Sequence, residues 1–232
     1  RQEGTVLIPM AGLGSRFKEA GFELPKPLVP VSGRPMVIQA SRDLPTPSRH
    51  SFVTRCDIQD LDQIVSKLRS SFLNANINIL GQATAGQVIT CLEGLDGAVD
   101  NAPLTIGACD NGTLFDTAKF EALMAPDGPD VLIWTVRGHP DGKARPEMFG
   151  WVDADEFGGV RGVSVKKPLQ NPATDHLITG TFTFRRSIDF VNAAKSLIDR
   201  DHRINDEFYV DSVIEDAVAT GLNCQVFEVD AY

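Results

Sequence analysis

Apolar residues come in two kinds of run along this chain. Short β-branched runs bounded by turn residues alternate with stretches in which apolar positions recur every three to four residues. The first kind opens the sequence. Thr5-Val6-Leu7-Ile8-Pro9 runs straight into a glycine-rich turn, the pattern of a buried parallel strand at the centre of a sheet. Further runs predict strands over residues 50–54, 77–80, 104–108, 131–136, 160–165, 178–184 and 225–229. The second kind predicts a helix over 60–73, with Leu61, Ile64, Val65 and Leu68 on one face, and a shorter piece over 120–124. It also predicts 187–199, carrying Ile188, Val191, Ala194 and Leu197, and 206–219, carrying Phe208, Val213, Ile214 and Ala217. Strand and helix alternate through the first half, which predicts an α/β fold with a mainly parallel sheet covered on both faces. From 149 to 184 strands follow one another, so a small antiparallel, β-rich insertion is expected there. No repeat or low-complexity linker divides the chain, and one domain over residues 1–232 is the economical reading.

Composition narrows the function classes. With 42% hydrophobic and 23% charged residues in 232, the chain is of ordinary globular type and large enough to bury a sizeable core. Lys and Arg total 22 against 31 Asp and Glu, a net charge of -9. That balance argues against nucleic acid as the main partner, because phosphate neutralisation needs a cationic surplus. No apolar run approaches the roughly 20 residues of a membrane helix and no signal-peptide pattern opens the chain, so a soluble, cytoplasmic protein is expected. Cys56, Cys91, Cys109 and Cys224 are scattered, as are His50, His139, His176 and His202. Neither set has zinc-ligand spacing, and any metal is expected to be a hard ion held by carboxylates.

The first 34 residues go against the overall charge. Arg1, Arg16, Lys18, Lys26 and Arg34 face Glu3, Glu19 and Glu23, a local balance of +2. The turn Pro9-Met10-Ala11-Gly12-Leu13-Gly14-Ser15-Arg16-Phe17 follows the first strand and leads into a possible helix, so backbone N–H groups there can hold an anion. It is not a P-loop, which needs Gly-Lys-Ser/Thr. Nor is it a dinucleotide fingerprint, because Phe17 stands where a third glycine belongs and no acidic residue follows at the ribose-binding distance. Pro25 and Pro27 stiffen the chain around Lys26. A glycine cradle with a fixed Arg and Lys suits a triphosphate undergoing substitution at phosphorus; a tight turn with surface charges is the plainer reading of the same residues.

The ordered run Ile8-Pro9-Met10-Ala11-Gly12-Leu13-Gly14-Ser15-Arg16-Phe17, then Pro25-Lys26-Pro27-Leu28, then Val31-Ser32-Gly33-Arg34-Pro35-Met36, closely resembles the signature of the sugar-phosphate nucleotidyltransferases, the NDP-sugar pyrophosphorylases. The resemblance implies a single Rossmann-like, three-layer domain with a mixed sheet. It implies Arg16, Lys26 and Asp110 as catalytic residues, with Asp110, in Ala108-Cys109-Asp110-Asn111, holding Mg²⁺ on the nucleotide phosphates. Ala11, Gly12, Leu13 and Gly14 would cradle those phosphates, and Gln82 and Gly86 would read the base; the stretch 82–87 equally suits a loop and helix cap. Phe149-Gly150-Trp151, Lys166-Lys167-Pro168 and Ile178-Thr179-Gly180-Thr181-Phe182 resemble the sugar-phosphate segments, with Gly150, Lys167 and Gly180 as contacts. A strand bulge is the other reading of Gly180. Lys166 departs from the pattern, since many relatives carry a glutamate there that contacts sugar hydroxyls. Asn205-Asp206-Glu207-Phe208-Tyr209-Val210 resembles the family's opening of the last helix, where Asp206 would also complement the helix dipole. A second metal carboxylate is expected just before a Gly-Thr-Pro stretch that this sequence lacks. Asp230 is the nearest candidate, and the family comparison suggests a domain cut short at its C-terminus.

The implied reaction joins an NTP and a sugar-1-phosphate into an NDP-sugar and pyrophosphate, with Mg²⁺ as cofactor. A phosphomonoester is already a nucleophile at neutral pH, so positioning and charge stabilisation suffice, and the sequence shows no Ser-His-Asp pattern. A cytidylyltransferase for a non-sugar phosphate such as phosphocholine, and a non-catalytic nucleotide-binding regulatory subunit, are the alternatives. Base, sugar and oligomeric state are not legible in the sequence.

Overall fold

The computed structural model describes residues 2–12, 14, 17, 19–95 and 101–232. Its strands are β1 (Gln2–Pro9), β2 (Pro30–Val31), β3 (Arg34–Pro35), β4 (Pro47–Arg55), β5 (Ala75–Leu80), β6 (Leu104–Ile106), β7 (Val131–Val136), β8 (Gly150–Ala154), β9 (Val160–Val165), β10 (His176–Phe184) and β11 (Cys224–Glu228). Its helices are α1 (Met36–Arg42), α2 (Leu61–Ser71), α3 (Gln87–Leu95), α4 (Thr117–Leu123), α5 (Pro140–Ala144), α6 (Ser187–Asp199) and α7 (Val210–Ala219). The apolar opening run becomes β1, which pairs in parallel with β4 on one side and β6 on the other. β5 extends the parallel set beyond β4. The main sheet runs β11-β7-β10-β6-β1-β4-β5, with the β8–β9 hairpin attached to β10.

β10 is antiparallel to both β6 and β7, so the sheet is mixed, and the expected antiparallel excursion is β8, β9 and β10. Both faces are covered, because residues along each strand alternate between two sides. Leu7 and Val53 join the apolar cluster with residues of α3, α6 and α7. Val6, Ile8 and Phe52 join one with Val37 and Ile38 of α1 and Ile64 and Leu68 of α2. At the far end of the sheet, Leu132, Trp134 and Phe227 pack with Phe120 of α4. That short helix is held at its start by the Asp116 side chain, which accepts from the Ala118 and Lys119 N–H groups. All four cysteines are free, and among the described residues no helix is long and apolar enough to cross a membrane.

One sequence expectation is corrected. The last helix begins at Val210, not near 206. Asn205 and Asp206 have φ of 51° and 64°, and Ile204 and Glu207 pair across them in a tight turn. Asp206 is therefore a turn residue, and the acid in the helix's first turn is Asp211.

Candidate active site

β1, β4, β5 and β6 run parallel, so their C-terminal ends open on one edge, where open α/β sheets bind ligands. After β1 the Met10 N–H donates to the Val53 carbonyl at 2.8 Å, and Ala11 is buried. Gly14 has φ +64°, and a Cβ at Gly12 or Gly14 would meet no atom of the described residues beyond its chain neighbours within 4 Å. Two such glycines give a ligand close access to the backbone. Leu13 and Arg16 lie outside the described residues.

Lys26 and Asp110, 84 positions apart in sequence, meet here. Lys26 opens a single 3₁₀ turn, Lys26–Leu28, whose Pro27 and Leu28 are buried, so the lysine stands on an anchored base. Its Nζ lies 2.7 Å from Asp110 Oδ2, with the two side chains 25% and 29% exposed, and 5.3 Å from the Phe17 ring centroid. Asp110 follows β6, and its neighbour Asn111 donates from Nδ2 to the Thr179 carbonyl. That carbonyl is available because β10 slips register between Ile178 and Phe182, and Gly180 sits in the slip at φ +81°. A Cβ on Gly180 would stand 3.0 Å from Asn111 Nδ2. The bulge thus exists and ties the β10 strand to the Asp110 segment. Beside it the Cys109 thiol is pushed up to about 11 by burial, which leaves it no thiolate character at neutral pH.

Gln82 is exposed on the connection from β5 to α3. Gly86 in the same connection has φ +123°, and a Cβ there would overlap the Phe208 backbone, whose carbonyl oxygen would stand at 2.7 Å. Phe208 N–H donates to the Ala85 carbonyl at 3.0 Å, and Val88 N–H to the Phe208 carbonyl at 3.1 Å. Close backbone approach therefore accounts for this glycine.

Gly150 begins β8, and a Cβ on it would overlap the Asp211 carboxylate. Asp211 was not legible as a site residue from its helical pattern. Its carboxyl is raised to about 6, chiefly by burial, with the Lys166 charge opposing. Lys166 has φ +59°; its Nζ donates to the Met148 carbonyl and lies 5.7 Å from the Tyr209 ring centroid. Lys167 is exposed. Tyr232 is a second residue missed in the sequence; burial pushes its phenol to about 12, and the charges of Asp110, Asp211 and Asp141 add to the rise.

The raised Asp211 carboxyl has a signed consequence. Its folded value exceeds the unfolded one near 3.9, so the folded state holds the extra proton between about pH 4 and 6 and loses stability as pH rises through that window. Asp211→Asn removes this slope. In urea titrations the variant gains on the wild type as pH rises from 4 to 7, by about 2–3 kcal/mol. A difference independent of pH would contradict the burial of this carboxylate.

Asp230 is exposed, and its N–H donates to the Leu114 carbonyl at 2.8 Å. Among the described residues no group of three or more His, Cys, Asp or Glu could hold a metal ion. Asp110 is nevertheless a hard oxygen donor at an open edge, and Mg²⁺ commonly takes one or two carboxylates, with substrate phosphates and water filling the remaining positions.

No protein-family model and no curated protein matches this sequence. Solved structures do match. The nucleoside-diphosphate-sugar pyrophosphorylase from Vibrio cholerae RC9 superposes with a TM-score of 0.76 at 20% identity, covering 96% of this chain and 91% of that one. This chain shares that enzyme's fold. The inositol-1-phosphate CTP transferase from T. maritima gives 0.73 at 15% identity, over 98% of this chain and 85% of that chain. A proposed glucose-1-phosphate thymidylyltransferase from Bacillus anthracis gives 0.73 at 17%, over 99% and 88%. The parallel strands bring Gly12, Gly14, the Lys26–Asp110 pair and the 81–86 connection to one edge of the sheet.

Proposed function

We propose that this chain is a sugar-phosphate nucleotidyltransferase, which joins an NTP and a sugar-1-phosphate into an NDP-sugar with release of pyrophosphate. The observation that carries the reading is the Lys26–Asp110 pair at 2.7 Å, on the edge where Gly12 and Gly14 follow β1, with no other described residue within 4 Å of a Cβ at either. The glycine turn, Ala11 to Gly14, binds the triphosphate through backbone N–H groups. Lys26, and by the sequence resemblance Arg16, offset charge on the departing pyrophosphate. Asp110 would hold Mg²⁺, and Asp230 is the second carboxylate proposed for it. When bound, the metal withdraws charge from the phosphates. Gln82 reads the base. Lys167 orients the incoming phosphate, while Gly150 and Gly180 leave room at the sugar.

The sugar phosphate's oxygen attacks the α-phosphorus in line with the departing group. The new P–O bond forms as the bond to the β-phosphate oxygen breaks, and its electron pair leaves on pyrophosphate. No protein nucleophile enters. The test is pyrophosphate release with Mg²⁺ from ATP, CTP, GTP, UTP and dTTP, each crossed with a panel of sugar-1-phosphates, inositol-1-phosphate and phosphocholine. Release that needs one nucleotide and one sugar-1-phosphate is the expected result. Release with phosphocholine alone would move the acceptor outside the sugars, and nucleotide binding without release from any pair would contradict catalysis.

A further inference from the structure

One charged side chain at the same edge has no part in the mechanism above. Arg55 is the last residue of β4, on the same strand face as Ser51 and Val53. That face meets α3, because Ser51 Oγ donates to the Gly94 carbonyl at 2.7 Å and a Cβ on Gly94 would overlap Val53 and Leu7. Arg55 is also in register with Leu80, the last residue of β5, and the next N–H, from Cys56, donates to the Leu80 carbonyl at 2.8 Å. From Leu80 the chain passes through residues 81–86 into α3. This connection must therefore cross the end of the sheet on the side that Arg55 occupies.

The Arg55 side chain is only 9% exposed, and its ionic partner is Asp57, Nε to Oδ1 3.3 Å, a carboxylate itself 62% exposed. Nε is fully buried and makes no hydrogen bond among the described residues. A guanidinium has donors and no acceptor; the Asp57 carboxylate sits at ionic distance without making a hydrogen bond to Nε, so what this buried group lacks is a well-directed acceptor. Buried polar groups are nearly always satisfied, and an exception marks a place for a ligand or an ordered water.

The strand order decides which part of a nucleotide would supply that acceptor. The glycine turn follows β1, and Lys26 meets Asp110 after β6, so the phosphate-binding groups cluster on the β6–β1 side. Arg55 ends β4, beside β5 and beneath the connection carrying Gln82 and Gly86. We infer that Arg55 is a specificity-determining residue of the nucleotide site, donating to a carbonyl oxygen or ring nitrogen of the bound nucleobase from beneath residues 81–86. The inference rests on the nucleotidyltransferase reading above and adds to it a second base-reading side chain.

The test is isothermal titration of the whole chain, with Mg²⁺, by ATP, CTP, GTP and UTP separately and by inorganic tripolyphosphate. Wild type is compared with Arg55→Met and Arg55→Lys. In Arg55→Met the preferred nucleotide weakens about 10- to 100-fold, the scale of one charged hydrogen bond. The spread among the bases narrows, and tripolyphosphate binds as before. Arg55→Lys keeps the charge and the apolar stem without the planar fork. It loses base discrimination in the same way and carries the test if the methionine variant does not fold. An unchanged spread among the nucleotides overturns the inference. Equal losses for nucleotide and tripolyphosphate also overturn it, since Arg55 would then serve the phosphates or the scaffold. A wild-type chain that binds none of the nucleotides refutes the nucleotidyltransferase reading itself, a result distinct from either.

Discussion

Lys26→Met and Asp110→Asn each lower the rate of pyrophosphate release about 10²–10³-fold, the loss expected when one preorganised charge is removed from a transition state that gathers charge on phosphate oxygens. The stability change is small by comparison. Both side chains are about a quarter exposed, and an ion pair in that setting contributes about 0–1 kcal/mol. Activity and stability therefore separate, and this distinguishes a working pair from a structural one. The two variants also separate from each other. Lys26→Met loses rate at every Mg²⁺ concentration, because its charge is needed at the leaving group. Asp110→Asn recovers part of its rate as Mg²⁺ is raised, because a weakened metal site can be filled by mass action. Rate measurements across an Mg²⁺ series, with unfolding midpoints alongside, check all of this. A loss under about tenfold in Lys26→Met would contradict its place at the leaving group.

Elements whose pattern is set by their own residues were legible in the sequence. Val131–Val136, Val160–Val165 and Ser187–Asp199 are found at the residues their runs predict. The first two are short β-branched runs closed by turn residues, and the third repeats its apolar positions through more than three turns. Features decided by distant partners were less legible. Met36–Arg42 begins directly after Pro35 with no side-chain cap and is too short to show a period. The last helix starts at Val210 because the preceding residues are spent on the 204–207 turn and on backbone bonds from Phe208 to the 81–88 region.

The same division runs through the site. Lys26 and the glycine turn were legible because prolines and glycines mark unusual backbone directly. Gly180 allowed two readings, and the register slip in β10 supplies the bulge. Asp211 and Tyr232 carried no local signal. Asp211 is one acid in a helix's first turn, and its importance comes from Gly150 and Lys166, 61 and 45 positions upstream. Arg55 lies just past the predicted strand over 50–54 and carries no signal of its own until the β4–β5 register buries it at the end of β4.

Gly86→Ala unfolds the chain at a markedly lower temperature, whereas Gly12→Ala does not. At Gly86 two penalties combine. A φ of +123° is a backbone conformation that costs an L-residue about 1–3 kcal/mol. The added Cβ would also overlap the nitrogen of Phe208 and stand 2.7 Å from its carbonyl oxygen. Those are backbone atoms held by bonds to Ala85 and Val88, so no side chain can swing aside, and overpacking adds about 1–3 kcal/mol. The sum, about 2–6 kcal/mol, corresponds to roughly 5–20 °C in a chain of this size. At Gly12 a Cβ would meet no atom of the described residues beyond its chain neighbours within 4 Å, so stability is expected to hold, while a methyl group now projects where phosphate oxygens would approach the backbone. Calorimetry with nucleotide titration therefore sorts the two glycines. Gly86→Ala loses Tm, and Gly12→Ala loses nucleotide affinity with its Tm intact. A Gly86→Ala protein as stable as the wild type would mean that the 81–86 connection can move away from Phe208. The base-reading edge would then be an adaptable loop rather than one fixed by the backbone opposite.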